Sequence, residues 1–380
     1  MKAAPRGQVP PFIVMDVMRA AAEAEARGHD IMHMEVGQPA TPAPSGVIAA
    51  AKAALDADRI GYSLAFGEPA LQARLARHYA DWYGVAVDPG RIAVTTGSSS
   101  AFTLGFLAAF EAGDRVALAA PGYPAYRNIL SALGVQVVSV PVGPDTNYQP
   151  TPAVLDRVAG SLDGLIVASP SNPTGTMIHK AAFADLMAYA RDRGLRVVSD
   201  EIYHGITYEE RAETALAFDD QTMVINSFSK YFSMTGWRLG WMVVPEDLMR
   251  SVECLAQNFF ISAPTLSQLA AIAAFDCQDE LNANVARYAA NRALLLDGLP
   301  RIGFDRLSHA DGAFYIYADV SALTNDSPAF CRRMLDEARV AATPGIDFDP
   351  DRGNRFLRFS FARSTEDMAE ALRRLGAWLG

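Results

Sequence analysis

The chain has 380 residues, half of them apolar and a fifth charged, with a formal net charge of -10 from 33 basic and 43 acidic side chains. At roughly 100–200 residues per domain this allows two or three cores, and the composition excludes disorder. With no lysine–arginine cluster, an acidic chain lacks the footprint of a nucleic-acid binder. No apolar run approaches a membrane span, and the N-terminus lacks the apolar stretch of a signal peptide. The cysteines, Cys254, Cys277 and Cys331, form no CxxC pair; they fit a reducing, cytoplasmic setting rather than a disulfide framework. The histidines are scattered without metal-ligand spacing, so no metal is expected.

In chain order, PFIVMDVMRAAAEAEARG predicts a helix closed by Gly28. From about residue 45, helical patterns alternate with short β-branched apolar runs at 91–97, 115–121, 136–142, 164–170, 195–201, 222–228 and 238–244. Their near-continuous hydrophobicity predicts strands buried on both faces. The fold class is therefore α/β: a large domain with a mostly parallel seven-stranded sheet flanked by helices. The run at 238–244 follows its predecessor too closely for a crossover helix and predicts an antiparallel strand. After a helical region at roughly 246–300, FYIYADV, FLRFSFA and a last amphipathic helix predict a smaller α+β domain. The expected division is 45–285 for the large domain, with 1–44 and 286–380 forming the small one.

Open parallel sheets bind ligands beyond the carboxyl ends of their strands, and that is where polar residues gather. Gly97-Ser98-Ser99-Ser100 follows the first run and opens a helix, an arrangement that suits an anion as well as a plain N-cap. Tyr123 follows the second run and the turn SNPTG, with Asn172, the fourth. Asp200 closes the fifth, where a buried carboxylate needs a cationic partner or donors, and Tyr203 lies just beyond. NSFSKYFSMTGWRLG follows the sixth. Its Ser227, Ser229 and Arg238 suit a phosphate, and Lys230 is an amine nucleophile. Each element alone reads as a turn, a cap or a packing aromatic. Together they describe a ring nitrogen facing an acid, a phosphate cradle and an aldehyde-capturing lysine: pyridoxal 5'-phosphate held as a Schiff base.

The motif Ser227-Phe228-Ser229-Lys230, then Ser233-Met234, Gly236 and Arg238-Leu239-Gly240, resembles the lysine signature of the class I/II aminotransferases, the fold-type I pyridoxal-phosphate enzymes. SPSNPTG, DEIY, PGYPAYRN and FLRFSFA follow in the family's order, so the resemblance spans about Phe12 to the C-terminus. It implies an aspartate-aminotransferase-like fold and amino transfer between an L-amino acid and a 2-oxo acid. In that likeness Lys230 carries the Schiff base and moves the proton, Asp200 pairs with the pyridine nitrogen, and Tyr203 and Asn172 hold the phenolic oxygen. Tyr123 and Ile202 flank the ring, and Ser98, Ser99, Ser227, Ser229 and Arg238 bind the phosphate. Tyr62 reaches the phosphate of a neighbouring subunit, which implies a homodimer with shared sites. Arg358 grips the substrate carboxylate, with Gly37 and Asn172 beside it; by its alternation alone, LRFSF reads equally as an edge strand with its arginine in solvent. Ser99 stands where an aspartate-preferring branch carries a lysine, and the apolar PPFIVM suggests a neutral or aromatic donor. A β-lyase (C–S or other), racemase or decarboxylase would use the same lysine and aspartate. A cofactor-binding regulator would need a DNA-binding extension, and a nucleotide enzyme a glycine-rich loop after the first strand; neither is present.

Overall fold

The structure, a computed structural model, describes residues 3–58 and 60–380. Helix α1 (Ile13–Ala26) ends where Gly28 takes φ +88°, a backbone state that glycine adopts without a Cβ penalty. Strand β1 (Met32–His33) and helices α2 (Ser45–Asp56) and α3 (Pro69–Tyr83) lead into the main sheet. There β2 (Ile92–Thr95), β3 (Arg115–Ala120), β4 (Gln136–Pro141), β5 (Gly164–Ala168), β6 (Arg196–Asp200), β7 (Met223–Ser227) and β8 (Gly240–Val243) account for all the expected runs. Between them lie α4 (Gly97–Ala109), α5 (Pro124–Leu133), the single turn α6 (Pro152–Leu155) and α7 (Lys180–Asp192).

The order is β2-β8-β7-β6-β5-β3-β4. β8 runs antiparallel to both β2 and β7, and every other pairing is parallel. Alternation sends neighbouring residues to opposite faces. Ile166, Val198, Ile225 and Met242 pack with Phe102 and Phe106 of α4, whereas Leu165, Val197, Val224 and Trp241 join the core on the other side. Both faces are covered, so β7, β8 and even the edge strand β2 are buried throughout; β4, at the other edge, is not.

The remaining chain forms α8 (Met249–Phe259), α9 (Thr265–Ile272), the long α10 (Gln278–Arg301), β9 (Arg306–Leu307), β10 (Tyr315–Asp319), α11 (Ser327–Arg333), β11 (Val340–Ala341), β12 (Thr343–Pro344), β13 (Phe356–Ser360) and α12 (Thr365–Leu379). A four-stranded antiparallel sheet has the order β12-β13-β10-β9, and β1 pairs in parallel with β11. The N-terminal segment is thus stitched to the C-terminal part. α10 runs unbroken across residues 285 and 286. β13 is an interior strand, with Arg358 between Tyr317 and Thr343. That placement excludes the reading of LRFSF as a solvent-facing edge. No helix among the described residues is long and apolar enough to cross a membrane.

Candidate active site

A cavity of about 470 Å3 opens at the carboxyl ends of β5, β6 and β7. Ser98, Ser99, Tyr123, Asn172, Asp200, Ile202, Tyr203, Ser229, Lys230 and Arg238 line it from the large sheet, and Gly37 and Arg358 from the opposite side. Sequence-distant positions meet because parallel strands all deliver their last residues to one edge. The register places Ala168, the end of β5, opposite Asp200, the end of β6.

Asp200 is 4% exposed. One carboxylate oxygen accepts from the Tyr126 hydroxyl, and the other accepts from the Ile202 N–H at 3.0 Å. Burial raises its pKa to about 6, against the pull of Tyr126, the Ile202 amide and Lys230. A carboxyl so poorly solvated gains when a cation is brought to it. The partly exposed Lys230 donates from Nζ to the Gly37 carbonyl at 2.5 Å and lies 5.9 Å from the centre of the Tyr203 ring. Burial, with Arg358 and Arg238 nearby, lowers its pKa to about 8. An amine in that range is neutral often enough to act as nucleophile or base at neutral pH.

The anion cradle is built from close backbone approach. Arg238 sits in the left-handed region at φ 52°, and its Nη1 donates to the Thr235 carbonyl at 3.1 Å. A Cβ on Gly97 (φ +73°) would stand 2.5 Å from the Arg238 guanidinium, and one on Gly240 would stand 2.8 Å from the Ser98 nitrogen. Glycine at both positions lets the guanidinium and the first turn of α4 converge. Ser98 and Ser99 occupy that turn, where unpaired N–H groups and the helix dipole favour negative charge. Ser227 lies behind this wall: its hydroxyl is buried and bonds to the Ser229 hydroxyl at 2.9 Å and the Leu239 carbonyl at 3.0 Å.

Arg358 is 2% exposed. Its Nη1 donates to Asn172 Oδ1 at 2.9 Å, and its Nη2 donates to the Glu35 carbonyl and to Thr343 Oγ1 at 3.2 Å. The guanidinium lies 4.5 Å from the Tyr315 ring centre and 4.9 Å from that of Phe348. The Tyr203 and Tyr315 hydroxyls share a hydrogen bond of 2.7 Å. A side chain on Gly37 would overlap the Tyr315 hydroxyl. The entrance is apolar: Phe12, Val14, Met15 and Met18 line it, and Phe12 meets the Tyr123 ring edge-on at 5.7 Å.

Tyr62 is not part of this cavity; it is 84% exposed. Tyr126, which holds Asp200, lies inside the motif PGYPAYRN and Tyr315, which holds Tyr203, inside the apolar run FYIYADV; neither stands out from the sequence as a site residue. Among the described residues no cluster of three or more histidine, cysteine, aspartate or glutamate side chains could hold a metal.

The family model for aminotransferase class I and II matches residues 29–375. A valine–pyruvate aminotransferase of Mycobacterium tuberculosis is 52% identical over 378 residues, covering 98% of this chain and 97% of the relative. The crystal structure of an aminotransferase from Mycobacterium tuberculosis superposes with a TM-score of 0.98 at 51% identity, covering 100% of this chain and 99% of that one. An aspartate aminotransferase from Thermus thermophilus with maleate gives a TM-score of 0.93 at 30% identity, covering 99% of both chains.

Proposed function

The chain belongs to the aminotransferase class I and II family, and on that premise we propose that its cavity binds pyridoxal 5'-phosphate and passes the amino group of a neutral aliphatic L-amino acid, valine foremost, to pyruvate. The chain is a transaminase, moving an amino group between an amino acid and a 2-oxo acid. What carries the fuller reading is the convergence of the Lys230 amine, the Asp200 carboxylate and the Ser98–Ser99–Arg238 cradle on one cavity.

The residues present fit the cofactor. Asp200 is a buried carboxyl with two donors and no cation hydrogen-bonded to it among the described residues, so it suits a protonated ring nitrogen. The cradle joins a helix N-terminus, hydroxyls and a guanidinium, held close by glycines that admit no Cβ. Ser98, Ser99, Ser229 and Arg238 would hold the phosphate, with Ser227 orienting Ser229. Tyr123 and Ile202 would flank the ring, and Asn172 and Tyr203 would bind its phenolic oxygen. Once bound, the cofactor supplies an aldehyde for the amine and an electron sink for the developing carbanion.

The protein's own groups do the rest. Lys230, neutral in part because burial and two guanidinium groups lower its pKa, would take the substrate α-proton as general base and, as general acid, deliver it to the cofactor's aldehyde carbon. Asp200 would keep the ring nitrogen protonated, and the Tyr126 hydroxyl and the Ile202 amide hold its carboxylate in place. Arg358 orients the substrate carboxylate as a planar fork, and stacking against Tyr315 and Phe348 keeps that plane fixed. Asn172 and Gly37 stand beside it. The side chain then points toward Phe12, Val14, Met15 and Met18, which favours an aliphatic group over a carboxylate. The naming of the 52% identical relative supports valine and pyruvate.

This reading includes a cytoplasmic homodimer in which Tyr62 of the partner subunit reaches the phosphate. Tyr62, Leu64, Phe259 and Ile261 are large apolar side chains left exposed on the single chain, and Thr265 ties the Tyr62 loop down through the Gly61 carbonyl at 2.5 Å. The division into a cofactor-binding unit of residues 45–285 and a smaller unit of 1–44 and 286–380 belongs to it as well. A panel of amino donors assayed with pyruvate tests the substrate: the highest kcat/KM should fall on valine and its branched neighbours. A preference for aspartate over every aliphatic donor would contradict it.

A further inference from the structure

The Arg358 guanidinium is held on one side by a backbone carbonyl, that of Glu35, and the segment bearing it is secured from below. Thr343 Oγ1 donates to the same carbonyl at 2.8 Å. The Glu35 side chain is 1% exposed, and its Oε2 has no partner among the described residues. Among the described residues its only hydrogen-bonded cationic neighbour is His33, whose Nδ1 lies 2.8 Å from Oε1, while His33 Nε2 lies 2.9 Å from Oε1 of Glu25 on α1. A single imidazole thus bridges two carboxylates, one buried and one at the surface. Alternation along β1 puts Met32 and Met34 into the core and turns His33 towards α1.

We propose that His33 is a positioning residue for the substrate-carboxylate clamp: by bridging Glu25 and Glu35 it keeps the Glu35 carbonyl seated on Arg358. The inference rests on the reading of Arg358 as that clamp. A buried carboxylate with one donor lost costs enough to move the backbone that carries it. The charged groups facing His33 are Glu25 of α1, Glu35 of its own segment and Arg363 beyond β13; the bond to Glu35 leads in raising its pKa, with Glu25 adding to it, and burial chiefly and Arg363 weakly oppose. The sign follows: the bridge is complete at pH below that raised value and is lost as pH rises through it, so carboxylate affinity falls on the alkaline side.

The test uses cofactor-loaded protein and two non-reacting or incomplete ligands followed by cofactor absorbance. These are isovalerate, which presents a carboxylate, and isobutylamine, which is valine without one. In His33→Gln the isovalerate Kd and the KM for valine and pyruvate should rise about tenfold. The kcat and the isobutylamine Kd should stay within about twofold. The alkaline rise in isovalerate Kd seen in the wild type should vanish in His33→Gln and move to lower pH in the surface variant Glu25→Gln. Should His33→Gln fold poorly, the wild-type and Glu25→Gln pH profiles decide. An unchanged isovalerate Kd in His33→Gln, an equal loss for isobutylamine, or identical pH profiles in wild type and Glu25→Gln would overturn the proposal. Arg358→Lys separates the two readings. If it weakens isovalerate while His33→Gln does not, only the role of His33 falls. If it leaves isovalerate binding intact, the clamp falls and the proposal with it.

Discussion

The two walls of the cavity are built differently. The wall from the large sheet consists of residues at or just past strand ends, each within a few positions of a hydrogen-bonded ladder: Asp200 ends β6, Lys230 follows β7, and Ser98 opens α4. The facing wall is assembled from positions far apart in the chain. Arg358 reaches Glu35 across 323 residues and Asn172 across 186, and Tyr203 reaches Tyr315 across 112. On the reading proposed above, the first wall carries the groups for bond-making and proton transfer, which need fixed placement. The second carries recognition of the substrate, through contacts that a shift of one segment can loosen. Substitutions on the first wall should therefore strike kcat, and those on the second KM.

The largest effect is expected from Lys230→Ala, which removes both nucleophile and base. Turnover should fall by about 10^4-fold or more in a steady-state assay, and the visible absorption of the loaded protein should be lost. Asp200→Asn comes next, with kcat lower by about 10^2 to 10^3-fold through loss of a buried charge partner. The same change should stabilise the cofactor-free protein. Its folded pKa of about 6 lies above the ordinary carboxylate value, so the ionised group costs stability at pH above about 6, and calorimetry at pH 7–8 should show a higher midpoint than wild type. Arg358→Lys should raise KM for both substrates by roughly 10 to 100-fold with a smaller change in kcat, because one point charge replaces a fork. Gly37→Ala should displace the Tyr315 hydroxyl it would overlap and cost about 1–3 kcal/mol of stability by overpacking, read by thermal melting. The smallest effect is a pH dependence: capture of pyridoxal phosphate by the cofactor-free protein should quicken as pH rises through about 8, where Lys230 loses its proton, and a rate flat across that range would break the assignment.

The first wall was also the legible one. Strand-end chemistry falls in short contiguous motifs, so Asp200, Asn172, Lys230 and Arg238 could be picked from local sequence and the parallel-sheet rule. Tyr126 sits in a recognised motif, yet its bond to Asp200 spans 74 residues and leaves no local trace; a tyrosine beside Pro124 reads as packing. Tyr315 is hidden in the same way, inside an apolar strand where an aromatic needs no explanation. Arg358 was ambiguous because alternation reports which face a residue occupies and not whether that face is covered; β12 and β10 on either side of β13 supply the cover. Ser227 carries a hydroxyl at the expected place but spends it on Ser229 and Leu239. Tyr62 is exposed on its own chain, and the role proposed for it needs a second copy.

The most direct test of the account is a half-reaction. Cofactor-loaded protein is mixed with valine alone, with no 2-oxo acid present, and its absorption is followed while the released 2-oxo acid is counted. Complete conversion to the pyridoxamine form is expected, with one equivalent of 2-oxo acid released per site and return of the starting spectrum on adding pyruvate. Ammonia release, or a spectrum that pyruvate does not restore, would contradict it.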